Sequence, residues 1–78
     1  MKDLVDYLAK GLVSRPGAVE IHETTENGAS VLQLKVAKED LGRIIGKQGR
    51  TAKSIRALVN AAASIENRRV VLEIFEEK

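Results

Sequence analysis

The chain has 78 residues, 44% hydrophobic and 31% charged, the balance of one small folded domain rather than of a disordered segment or a domain pair. It has no cysteine, which excludes a disulfide framework and thiolate metal sites, and no apolar run approaches the ~18 residues that span a membrane. The formal net charge is only +2, so a surface for polyanions has to come from how the charges are distributed.

From Lys2 to about Val13, Leu4, Val5, Leu8 and Leu12 recur at the spacing of one helix face. Asp3, Asp6 and Lys10 interrupt this stretch, so it does not read as a secretory leader, and a cytoplasmic protein is expected. Ser14-Arg15-Pro16-Gly17 stops the helix, because proline cannot continue it. Between Ala18 and Thr24, Val19 and Ile21 alternate with Glu20 and His22, the pattern of a strand exposed on one side. Asn27-Gly28 is a hairpin signal, since both residues tolerate positive φ. The return strand, Ser30 to Ala37, places Leu32, Leu34 and Val36 on the core side.

Lys38 to Ile45 reads as a short helix ending at Gly46, with Glu39 and Asp40 near its start, where the helix dipole favours acids. Arg50 to about Glu66 is a second helix, on which Ile55, Leu58, Val59, Ala62 and Ile65 share the expected core sector and Arg50, Lys53 and Arg56 lie opposite. Val70, Leu72 and Ile74 then alternate along a final strand, and Glu76-Glu77-Lys78 reads as a solvated end. The expected order is α-β-β-α-α-β over a single domain, residues 1–78, in the α+β class. A right-handed crossover would set all three helices on one face of a three-stranded sheet.

Charge is concentrated at one point. From Arg43 to Arg56 there are five basic residues (Arg43, Lys47, Arg50, Lys53, Arg56) and no acid, while the rest of the chain holds eight basic residues against 11 acidic ones. This cluster surrounds Gly46-Lys47-Gln48-Gly49, two glycines whose backbone freedom and missing Cβ would let an anion reach the peptide N–H groups between them. The loop follows Ile44-Ile45 and opens the basic helix, as helix N-termini that bind phosphate do.

A Gly-x-x-Gly loop between two helices, preceded by Ile44-Ile45 and followed by a basic helix, resembles the signature of the KH RNA-binding domain. The element order is similar to the type II arrangement of bacterial proteins. The length, the lead-in Lys38-Glu39-Asp40-Leu41-Gly42-Arg43 and the helix start Arg50-Thr51-Ala52 resemble the KhpA family of small single-KH proteins. The resemblance implies that the loop clamps the backbone of about four single-stranded RNA nucleotides. The N–H groups of Lys47, Gln48 and Gly49 would then face phosphates and Lys47 would neutralise one. Arg50 and Lys53 would flank the backbone, with Arg43 among the RNA-binding residues, and Ile44, Ile45, Ile55 and the neighbouring strand would form an apolar floor for bases, Ile44 and Ile45 serving the core first. It also implies a homodimer, a heteromer with a KhpB (EloR/Jag)-type RNA-binding protein, and an RNA chaperone or regulator linked to cell elongation and peptidoglycan homeostasis. Tyr7 and Phe75 are the only aromatic residues and neither is near the loop in sequence, so binding should be weak and salt-sensitive, with little base stacking.

Other readings of the same residues are blander. The glycines could merely reverse the chain between helices, and the basic stripe could be a solvated face. His22 lies on the outer face of a strand with no cysteine to share a metal, and no cofactor is expected. Ser54 and Ser64 have no base nearby in sequence to make a nucleophile. Gly42-x-x-x-Gly46-Lys47 is one residue short of a P-loop, and Gln48 stands where magnesium needs a Ser or Thr, so no enzyme is expected. A non-enzymatic adaptor that uses the loop and basic helix as a dimer interface stays open as the alternative to RNA binding.

Overall fold

The protein is described by a computed structural model over residues 1–76. Its helices are α1 (Lys2–Leu12), α2 (Leu41–Ile45) and α3 (Arg50–Ile65), and its strands β1 (Glu20–Glu26), β2 (Ala29–Val36) and β3 (Val70–Glu76). The expected order is thus realised. Of the expected solvated end, Glu76 is the exposed last residue of β3, and positions 77 and 78 lie outside the described residues.

The alternation seen in sequence governs β2. Leu32, Leu34 and Val36 have no exposed surface, each stabilising the fold by about 1.5–3 kcal/mol, while Val31, Gln33 and Lys35 are only partly covered on the other face. Asn27 and Gly28 turn the hairpin with φ of 51° and 79°, the left-handed pair that matches strand twist. This fixes an antiparallel register with Ile21 opposite Leu34 and Thr24 opposite Val31. The α2 to α3 crossover brings β3 back parallel to β2, Leu72 opposite Leu32, so the sheet order is β1-β2-β3. β2 is central, and among the described residues no further strand pairs with the outer edge of β3.

All three helices supply one core, on one face of the sheet. Val5 and Ala9 of α1, Ile44 of α2, and Ile55, Val59 and Ala63 of α3 pack on Leu32, Leu34, Val36, Val70 and Leu72. Two expectations need correction. On α3 the buried sector is Ala52, Ile55, Val59 and Ala63, whereas Leu58 is 53% and Ile65 88% exposed. At 100° per residue the core-facing line is turned by roughly 70° from the expected sector. Ala52 and Ala63 beside Ile55 and Val59 let the helix approach the sheet closely, and Leu58 and Ile65 are left outside.

The second correction concerns Asp40. Lys38–Asp40 form a 3-10 turn ahead of α2, and the Asp40 side chain does not sit in solvent at a helix start. It is fully buried, and its carboxylate accepts the N–H of Ser14 (2.9 Å), the Ser14 hydroxyl (2.8 Å) and the N–H of Arg15 (3.0 Å). Asp40 therefore ties the chain leaving α1 to the chain entering α2. Glu39 alone stays outside, paired with Arg15 at 2.8 Å.

Candidate nucleic-acid interface

The loop between α2 and α3 has a backbone that only glycine supports at its first corner. Gly46 adopts φ 76°, ψ 176°, Gln48 φ 58°, ψ 25°, and Gly49 φ 74°, ψ 10°. Gly46 donates its N–H to Gly42 O (2.8 Å) and accepts from the N–H of Gly49 (3.1 Å), which closes the turn on itself. The Gly49 N–H is thus consumed inside the loop and does not face outward as expected. Among the described residues the N–H groups of Lys47 and Gln48 have no acceptor, and both residues are exposed. Thr51 packs against Gly46 where a β-carbon would stand.

The other expected site residues divide into three groups. Arg50 and Lys53 are exposed beside the loop, on the solvent side of α3. Arg43 is exposed but leans to Asp40, with Nε 3.6 Å from the carboxylate. Ile45 is 38% exposed next to Gly46, whereas Ile44 and Ile55 belong to the core. Ile44 thus takes the core role that was expected first for it, and with no exposed surface its side chain lacks the additional groove contact.

Beside these residues an open margin runs between α3 and the outer edge of β3, and β3 is the strand that the sequence could name only as a neighbour of the floor. A cleft of about 260 Å³ is lined by Arg56, Val59, Asn60, Val70, Val71 and Leu72. It adjoins a second of about 360 Å³ that continues to Asn67, Arg68 and Arg69. Lys53, Arg56, Asn60 and Ser64 recur at three- and four-residue spacing, so they share the helix face above this margin. Arg56 Nε donates to Leu72 O at 3.3 Å, so that carbonyl points out of the sheet, and by alternation the backbone polar groups of Val70 and Ile74 point the same way. The only sequence signal was the strand order, which makes β3 an edge.

Electrostatics separates this side from the rest. Among the described residues the ion pairs are Lys10–Asp6, Arg15–Glu39 and Arg43–Asp40; Lys47, Arg50, Lys53, Arg56, Arg68 and Arg69 join none. No acid lies between Arg43 and Arg56 in the sequence, so the positive potential beside the loop is not cancelled by a neighbour in the chain. Neither cleft has an aromatic lining residue; Phe75 lies opposite Lys35 on the sheet face away from the helices, and Tyr7 is on α1. Among the described residues no group of three or more metal-ligating side chains occurs, and no helix is long and apolar enough to cross a membrane.

Comparison with known proteins bears on the fold and the family. Era, solved in complex with MgGDPNP and nucleotides 1506–1542 of 16S ribosomal RNA, aligns with a TM-score of 0.61 at 23% identity, covering 96% of this chain and 29% of that one. This likeness bears on the fold, and the element order is that of a type II KH domain. The RNA-binding protein KhpA of Clostridium acetobutylicum is 53% identical over 74 residues, 95% of this chain and 99% of its own. KhpA of Chlamydia pneumoniae is 50% identical over the full length of both chains. A family model described as KhpA/KhpB, KH domain, matches residues 2–74, and the chain belongs to that family.

Proposed function

We propose that this protein binds single-stranded RNA by clamping its sugar-phosphate backbone at Gly46-Lys47-Gln48-Gly49, and that bases lie along the α3/β3 margin. The observation that carries the reading is the pair of N–H groups at Lys47 and Gln48, exposed and without an acceptor among the described residues, beside Lys47, Arg50 and Lys53, which join none of the ion pairs found there. Its family adds weight, because relatives across their whole length bear the name RNA-binding protein. With no aromatic platform, affinity comes mainly from phosphates and falls with salt. The role is that of an RNA chaperone or post-transcriptional regulator in the cytoplasm, without enzymatic activity. The link to cell elongation and peptidoglycan homeostasis rests on family resemblance alone.

The double substitution Lys47→Asp, Gln48→Asp tests the clamp. Both side chains are exposed, so the fold, followed by circular dichroism, should persist. Affinity for single-stranded RNA should drop at least tenfold, a factor worth about 1.4 kcal/mol. Unchanged RNA binding would rule out the loop as the clamp.

One observation also favours self-association. Leu58 and Ile65 are exposed on the flank of α3 turned away from Lys53 and Asn60, so an apolar contact there would leave the basic face open. A homodimer, or a heteromer with a KhpB-type protein, would bring a second RNA-binding module and raise effective concentration. Leu58→Glu should shift sedimentation toward monomer with little loss of affinity for a short oligonucleotide. If self-association is lost instead on substituting Lys47 and Gln48, the loop itself is the interface and the adaptor reading stands.

A further inference from the structure

We propose that the turn Asn67-Arg68-Arg69 is a second phosphate anchor, which holds the RNA strand after it leaves the glycine loop. The inference rests on the loop being an RNA clamp and extends it to the opposite end of α3. The larger of the two clefts lies there, lined by Asn60, Ser64, Asn67, Arg68, Arg69 and Val71. It continues the cleft at Arg56 and Leu72 through shared walls at Asn60, Val70 and Val71, so a strand lying along α3 is led into it. Over the 16 residues of α3, at 1.5 Å rise each, this places the turn ~24 Å from the loop.

The turn is built rigidly enough to hold its charges in place. Asn67 takes φ 58°, its N–H donates to Ser64 O (3.0 Å), and the Arg68 N–H donates to Ala63 O (2.8 Å). The Arg68 guanidinium is steered by Ser30, whose hydroxyl accepts from Nη2 at 3.0 Å, leaving its other donors open. Arg69 is anchored only through its backbone, its carbonyl accepting from Ser30 N–H at 2.9 Å, and its side chain is exposed and without an ion pair. Glu26 and Glu73 line a depression on the other side of Arg69, yet neither reaches ion-pair distance. The C-terminus of α3 disfavours an anion by roughly half a charge, which two guanidinium groups outweigh. Arginine also suits phosphate geometry, because its fork can donate two parallel bonds.

The test compares a uridine tetranucleotide, the length a KH loop clamps, with a uridine decanucleotide, on the unaltered protein and on Arg69→Ala. Removing Arg69 should weaken decanucleotide binding about three- to tenfold and leave the tetranucleotide unaffected. It should also reduce the slope of log affinity against log salt by about 0.7 for the longer strand only, the change expected when one single-strand phosphate contact is lost. Equal weakening of both lengths, or of neither, overturns the anchor. The Lys47→Asp, Gln48→Asp protein separates the two ideas. If it loses both oligonucleotides while Arg69→Ala loses neither, the clamp stands and the second anchor falls. If the unaltered protein binds neither oligonucleotide, both fall.

Discussion

Gly46→Ala should lower the melting temperature by ~10–20 °C, or leave the protein largely unfolded at room temperature, whereas Gly49→Ala should cost far less. At Gly46 two penalties act together. Its φ of 76° with ψ 176° lies in a region essentially reserved for glycine, costing about 1–3 kcal/mol for any other residue. A β-carbon there would also fall 2.6 Å from Thr51 Cβ and 2.9 Å from the Thr51 backbone N, in addition to contacting the hydroxyl. The backbone atom belongs to the first turn of α3 and cannot rotate aside as a side chain could. Such overpacking typically adds about 1–3 kcal/mol. Against the ~3–5 kcal/mol that a core of this size supplies, the sum is most of the stability.

Gly49 has a similar φ of 74°, but a β-carbon there meets nothing within 4 Å. Only the left-handed strain applies, about 1–2 kcal/mol. The two glycines of the loop are therefore unequal, the first required by packing and the second by backbone angle alone. Thermal denaturation of both variants followed by circular dichroism checks this, and a Gly46→Ala protein as stable as Gly49→Ala would refute it.

What could be read from sequence was local. Asn27-Gly28 carries its own turn chemistry, β2 alternates because one of its faces is buried, and Gly46 marks the end of α2, so each was legible from neighbours in the chain. The glycine loop and the basic stripe were legible for the same reason. The orientation of α3 was not, because its apolar arc is wider than the core can cover. Hydrophobicity alone ranks Leu58 above Ala52, yet Ala52 faces the sheet. The strand beside the loop could not be singled out as β3, because that depends on which strand is the edge. Ile44 was legible as a core residue, but whether an isoleucine beside the loop also reaches a groove is decided by packing, which leaves it no exposed surface.

Asp40 is the case in which a distant contact reverses a local reading, and it leads to the second large effect. Asp40→Ala should lower the melting temperature by ~10 °C or more, while Glu39→Ala changes it little. The Asp40 carboxylate satisfies three donors from a segment 25 and 26 residues away, and removing it leaves the N–H groups of Ser14 and Arg15 without that acceptor. Glu39 makes only an exposed ion pair, which contributes little. Because α2 has five residues and runs directly into Gly46, loosening its entry should also blur the loop and weaken RNA binding.

The same contacts hold the Asp40 carboxyl below its ordinary pKa. The Ser14 N–H bond is the largest cause; burial opposes it, and the Ser14 hydroxyl, the Arg15 N–H and the Arg43 charge reinforce it. A carboxyl whose pKa is lower in the folded than in the unfolded protein binds fewer protons when folded, so it stabilises the fold above the unfolded value. That contribution should be complete at neutral pH and disappear as pH falls from about the ordinary value of 3.8 through the lower folded one. Asp40→Asn removes the titrating group while keeping its shape. Urea denaturation across this acid range should therefore show a steeper loss of stability for the unaltered protein than for Asp40→Asn. Equal slopes for the two proteins would mean that Asp40 is not the charged clasp between α1 and α2.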